Sequence, residues 1–94
     1  LEPELSPACT RDVKRVKCRH ASTRLLQEVM DLILDDTTSS RSELRRRHAH
    51  RLKGEWRGAS ECHVASAGDW LLVWKTGNGL AVFLRTGTHE EIVG

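Results

Sequence analysis

A chain of 94 residues with 15 Lys and Arg, 13 Asp and Glu and three cysteines reads as one domain with a modest core, burying roughly 60–65% of its unfolded surface. No apolar run reaches the ~20 residues of a membrane-crossing helix, and no secretory signal is visible. Cys9, Cys18 and Cys62 are odd in number and follow no disulfide framework, which fits reduced thiols in a cytoplasmic protein.

The net charge of +2 hides strong clustering. Arg11, Lys14, Arg15, Lys17, Arg19 and Arg24 share their segment with one acid, Asp12; Arg41, Arg45, Arg46, Arg47, Arg51, Lys53 and Arg57 face only Glu43 and Glu55. One such run alone reads as a solvated helix face. Two runs beside a set of histidines point to a polyanion, nucleic acid above all.

In chain order, Pro3 and Pro7 limit Leu1–Pro7 to an edge strand or fragment, because proline lacks a ladder donor. Thr10 is positioned to cap a cationic helix over Arg11–Arg19 with a thin stripe of Val13 and Val16. Leu25, Leu26, Val29, Met30, Leu32, Ile33 and Leu34 recur at helical spacing, predicting a second helix over Ala21–Leu34 with Ser22 as N-cap. The two helices should form a hairpin joined near His20. The run Asp35–Ser40 prefers caps and turns and ends that helix; Ser42–Arg47 is read as one helical turn and Ala49–Lys53 as loop.

From Gly54 the pattern changes to short strands. Trp56–Val64 is interrupted by Gly58, read as a bulge. Ala65–Gly68 is a turn, Trp70–Lys75 a buried strand, Thr76–Gly79 a hairpin turn and Leu80–Thr86 the next strand. Gly87 lets the backbone bend before Thr88 and His89. The order predicts an α+β fold, two N-terminal helices on a small, mainly antiparallel sheet. Trp56, Trp70 and Trp74 are assigned to the core, with Trp70 allowed at a site edge.

No phosphate loop, paired-cysteine zinc pattern or dinucleotide fingerprint is present. His48, His50, His63 and Cys62 do not keep zinc-ligand spacing, so neither metal nor other cofactor is expected. Nothing fixes a low thiol pKa for Cys62 as nucleophile. Histidines at predicted strand ends suit proton transfer near neutral pH. Metal-free RNA cleavage needs a base for the ribose 2′-hydroxyl, an acid for the 5′-oxygen, and a cation for the charged phosphate. By position, the candidates are His63, Asp69, Arg85 and His89, with His50 in the preceding loop. His20 and His48 are read as surface or hydrogen-bonded residues, not catalysts.

These residues carry a resemblance. His50-Arg-Leu-Lys-Gly-Glu-Trp56 with Arg57-Gly58, then Glu61-Cys-His-Val64, Asp69-Trp-Leu-Leu72 and Arg85-Thr-Gly-Thr-His89 resemble the YafQ-like branch of the RelE superfamily, toxins of type II toxin–antitoxin pairs. Arg11-Asp-Val-Lys14 and Arg19-His20 are similar to the family's first helix. The resemblance implies a ribosome-dependent mRNA endoribonuclease that cleaves the A-site codon. It carries catalytic positions onto His50, His63, Asp69, Arg85 and His89. His89 would lie nearest the scissile phosphate and Arg85 would stabilise developing charge. The implied partners are a cognate antitoxin, whose acidic or amphipathic segment covers the cationic cleft, mRNA, and the ribosome through 16S rRNA; operator DNA would be reached only through the antitoxin, and no membrane is involved. Candidate RNA contacts are Arg15, Lys17, Arg45, Arg46, Arg47, Arg51, Lys53, Arg57, Trp70 and Val93.

The chain departs from the branch in the longer turn Ala65–Gly68 before Asp69, in Val93 where an aromatic is common, and in Cys9, also at a frequent aromatic position. The first two motivate an alternative: a weakened RelE-fold protein that binds antitoxin or ribosome without efficient cleavage. A general RNA-binding domain is the other competitor.

Overall fold

The computed structural model describes residues 1–19, 22–66 and 68–93. Its centre is the hairpin that the sequence announces most clearly. Strand β4 (Leu71–Gly77) turns through Asn78-Gly79 into β5 (Leu80–Gly87). Asn78 (φ 53°) and Gly79 (φ 77°) both hold positive φ, as a tight two-residue hairpin turn demands. Val73 pairs with Arg85 and Trp74 with Phe83, so Leu84 is an extra residue that kinks β5.

Three further strands complete the sheet, in the order β1-β5-β4-β3-β2. They are β1 (Glu2–Leu5), β2 (His50–Arg51) and β3 (Ser60–His63). The proline-bearing β1 is an edge strand as expected, paired parallel to β5; the remaining neighbours run antiparallel. The helices are α1 (Pro7–Arg19), α2 (Arg24–Asp35), α3 (Thr38–Arg46) and α4 (His89–Val93). None is long and apolar enough to cross a membrane.

Helices α1, α2 and α3 cover one face of the sheet. Cys9, Val16, Leu26, Val29, Met30, Ile33 and Leu44 pack there against Cys62, Leu72, Trp74, Ala81 and Phe83. The other face holds a smaller cluster of Ala59, Leu71, Val73 and Ile92, flanked by Leu52, Trp56 and Leu84. Trp70 and Trp74 are buried and Trp56 is half-buried.

Several boundaries differ from expectation for local reasons. Thr10 does not cap α1. The helix starts one turn earlier, where Ser6 Oγ accepts from the Cys9 amide (3.0 Å), and Pro7 occupies the first turn, which needs no amide donor. At α2, Ser22 Oγ accepts from the Arg24 amide (3.1 Å), while the N-cap position falls on Thr23. The join of the first two helices at His20 lies outside the described residues. The Thr/Ser run does not merely end α2; it starts α3. Thr37 and Ser40 form a reciprocal capping box, which satisfies two otherwise unpaired helix donors. His50 and Arg51 sit on a strand, and Gly58 (φ 93°) lies in a turn after the short 3₁₀ segment Gly54–Trp56. The 49–53 segment is therefore not all loop, and Gly58 is not a bulge.

Candidate active site

The sequence Arg85-Thr-Gly-Thr-His89 builds the site from the end of β5, each residue by a separate interaction. Arg85 donates through Nε (2.6 Å) and Nη2 (3.1 Å) to the buried carboxylate of Asp12 on α1, and Nη2 also reaches the Glu91 carbonyl (3.2 Å). The Thr86 amide donates to Asp12 (3.1 Å), and its hydroxyl accepts from Trp70 Nε1 (3.0 Å) and donates to the Leu71 carbonyl (2.8 Å). Gly87 leaves room for Glu91: a Cβ there would lie 2.7 Å from Glu91 Oε1. Thr88 and Glu91 then form a capping box, the Thr88 amide donating to Oε1 (2.9 Å) and the Glu91 amide to Thr88 Oγ1 (3.1 Å). That box starts α4 and fixes the backbone of His89.

His89 meets Asp69, which precedes β4. Its Nδ1 lies 2.9 Å from Asp69 Oδ1, and its amide donates to both carboxylate oxygens (3.1 and 3.2 Å). A carboxylate that accepts at Nδ1 selects the Nδ1–H tautomer and leaves Nε2 open as the proton-exchanging atom. Both side chains are about half exposed. The Val64 amide donates to the Trp70 carbonyl (2.8 Å) and closes the base of the turn ahead of Asp69.

The sequence reading assigned no role to Glu61. Its carboxylate, 9% exposed, stands 3.9 Å from His89 Nε2. It also lies directly across the β2–β3 ladder from His50. The signal was available: along β3 the core face takes Cys62, so period-two alternation turns Glu61 and His63 the other way. What sequence could not show was that a buried acid would lie under a histidine 28 positions downstream.

His50 and His63 are held in a neighbouring arrangement. His50 Nδ1 lies 2.8 Å from the His48 carbonyl, and the His63 amide donates to the Arg47 carbonyl (2.8 Å). Among the described residues no hydrogen bond joins His63 to His89 or Asp69. The His63 ring instead meets His48 edge-on, centroids 5.2 Å apart at 65°. His48 is exposed, as expected, and its ring edge rests on His63.

Arg85 is already engaged: its Nε and Nη2 bond to Asp12 and the α4 backbone. Hydrogen bonding to Asp12 raises its pKa further. Trp70 offers no stacking face, being 7% exposed. Among the cations, Arg15 is shared between Asp12 and Glu91 (3.3 and 3.2 Å), and Arg46 is paired with Glu43 (2.6 Å). Lys17 lines a separate groove between α1 and α2. Arg45, Arg51, Lys53 and Arg57 are exposed, and Arg45 and Arg51 share a groove with His50. Val93 is 64% exposed on α4, at the edge of the site. Among the described residues no group of three or more His, Cys, Asp or Glu side chains has the geometry to hold a metal.

Electrostatics fasten α4 to α1. Arg19 and Arg15 bridge to Glu91 (2.7 and 3.2 Å). The Arg19 hydrogen bond first, then the Thr88 amide, lower the Glu91 pKa to about 2.

The chain was compared with known proteins. A sequence model of the family described as a bacterial toxin of type II toxin–antitoxin systems, YafQ, matches residues 1–94. The mRNA interferase toxin YafQ of Escherichia coli is 33% identical over 91 residues, covering 97% of this chain and 94% of that protein. The crystal structure of Escherichia coli YafQ superposes with a TM-score of 0.85 at 30% identity, covering 99% of this chain and 98% of the other. YafQ in the Escherichia coli DinJ–YafQ complex superposes at 0.79, with the same identity and coverage. Sequence and fold agree, and the chain belongs to the YafQ family of type II toxin–antitoxin toxins.

Proposed function

We propose that this protein is an mRNA interferase, an endoribonuclease that acts on ribosome-bound mRNA in the A site. The carrying observation is the exposed Asp69–His89 pair, with Glu61 3.9 Å from its open Nε2 and His50 across the ladder from Glu61. In the reaction the 2′-hydroxyl oxygen bonds to phosphorus while the bond to the 5′-oxygen breaks. One group takes the 2′ proton and another protonates the departing oxygen. This leaves a 2′,3′-cyclic phosphate and a 5′-hydroxyl, with no metal in any step. His89 exchanges one of these protons through Nε2. Asp69 orients its ring and stabilises the imidazolium, as a carboxylate does behind a catalytic histidine. His50 and His63 supply the partner proton site and phosphate contacts. Arg85 serves as a positioning residue, holding α4 and hence His89 in place.

The exposed arginines would hold the RNA through phosphates, which give affinity and salt dependence without sequence choice. An antitoxin would neutralise the toxin by laying an acidic or amphipathic segment over this cationic surface; the complex of Escherichia coli YafQ with DinJ supports the existence of such a partner. Exposed Val93, replacing a stacking aromatic, favours a second reading in which docking is kept and cleavage is slow.

The test is mRNA cleavage in a reconstituted translating system, mapped by primer extension with and without ribosomes and with His89→Ala. A cut inside the A-site codon, dependent on ribosomes and absent in the variant, is expected. Equal cutting of free RNA would refute ribosome dependence, and ribosome binding without any cut would favour the second reading.

A further inference from the structure

A cleft of about 470 Å³ opens between the end of α3 and the turn after β3, walled by Glu43, Arg46, Arg47, His48, His63 and Ser66. Its volume falls in the range of small-ligand pockets, roughly 300–1,000 Å³. Arg47 Nε is buried with no hydrogen-bond partner among the described residues, although buried guanidinium donors are normally satisfied. His48 is held at φ 61°, a left-handed conformation uncommon outside glycine, and that backbone sets its ring against His63. The cleft's one carboxylate, Glu43, is engaged by Arg46 Nη1 at 2.6 Å, which leaves the wall cationic. The Arg47 and His48 carbonyls bond to the His63 amide and to His50 Nδ1, so this wall is fastened to two of the site histidines.

We propose that this cleft is a phosphate subsite holding an mRNA phosphate that flanks the scissile one, with Arg47 and His48 as its ligands. The inference rests on the RNA-cleavage reading above and adds a specific contact to it. A guanidinium fork matches phosphate oxygens. With His63 shared between cleft and proton machinery, a phosphate bound here registers the strand against His89.

The test uses ribosomes programmed with mRNAs that carry a 2′-deoxy nucleotide at the cut site and one neutral methylphosphonate linkage, moved stepwise through the neighbouring positions. One flanking linkage is expected to lower wild-type affinity roughly tenfold, the scale of a charge-assisted hydrogen bond. Arg47→Gln and His48→Asn should show a similar loss on unmodified mRNA and no further loss at that linkage. Asparagine tolerates the left-handed backbone, so His48→Asn carries the test even where Arg47→Gln fails to fold. With cleavable mRNA, His48→Asn should raise KM more than it lowers kcat. Additive losses, no sensitive linkage, or variants that weaken ribosome binding equally on every mRNA (an anion of ribosomal RNA) would each overturn the subsite while wild-type cleavage persists. Failure of the wild type to cut at all would refute the nuclease reading and the subsite with it.

Discussion

Asp12 is the residue whose loss the structure makes most costly. It is 1% exposed, accepts from Arg85 twice and from the Thr86 amide, and forms an ion pair with Arg15 at 3.3 Å. Asp12→Ala leaves the buried Thr86 amide without an acceptor, at about 1–3 kcal/mol. It also strands the Arg85 charge. Removing one partner of a fully buried pair costs about 3–5 kcal/mol, but the Arg85 side chain is 21% exposed and recovers some hydration, so about 1–2 kcal/mol is appropriate. The sum, about 3 kcal/mol, corresponds to a Tm drop of roughly 12–20 °C in a domain of this size. Urea and thermal unfolding of the variant measure it. The double variant Asp12→Leu with Arg85→Met removes both charges and should regain the Arg85 part while keeping the Thr86 part. If Asp12→Ala falls within about 0.5 kcal/mol of wild type, or the double variant is no more stable than the single, the bridge does not hold the α1–β5 junction.

Other consequences concern the site and its surroundings. Asp69→Asn should lower kcat by roughly 10²–10⁴-fold with little change in ribosome binding, and Glu61→Gln should lower it less, because Glu61 faces His89 at 3.9 Å and not in direct hydrogen bonding; equal losses in single-turnover cleavage would contradict that ranking. With the Glu91 pKa lowered from 4.5 to about 2, its ion pairs contribute stability above the unfolded pKa and lose it as pH falls from about 4.5 through about 2. Glu91→Gln should flatten that part of the stability–pH curve, and an unchanged curve would refute the assignment. Burial pushes the Cys9 thiol up to about 11 and Cys62 to about 12, whereas Cys18 is exposed. A thiol reagent near neutral pH should therefore modify one cysteine in the native protein and all three after unfolding; fast native labelling of a second thiol would contradict the burial.

The sequence by itself determined the elements whose information is local. The alternating runs around Asn78-Gly79 specify the hairpin because turn chemistry and period-two burial lie in adjacent residues. The Leu25–Leu34 stripe specifies α2, and Pro3 confines β1 to an edge. Four short motifs in order were enough to indicate the family and to single out Asp69 and His89, which the fold brings within 2.9 Å. Tertiary structure alone decided what depends on residues far apart in the chain. Arg85 reads as a phosphate contact or a partner of Glu90 or Glu91 until Asp12, 73 positions earlier, is placed under it. Glu61 reads as one acid on a strand until β3 sets it beside His89. His48 reads as an isolated surface histidine until the fold sets its exposed ring against His63. Helical stripes and turns are set by side chains a few residues apart, whereas ion pairs, shared carboxylates and clefts exist only once the sheet order and register are fixed.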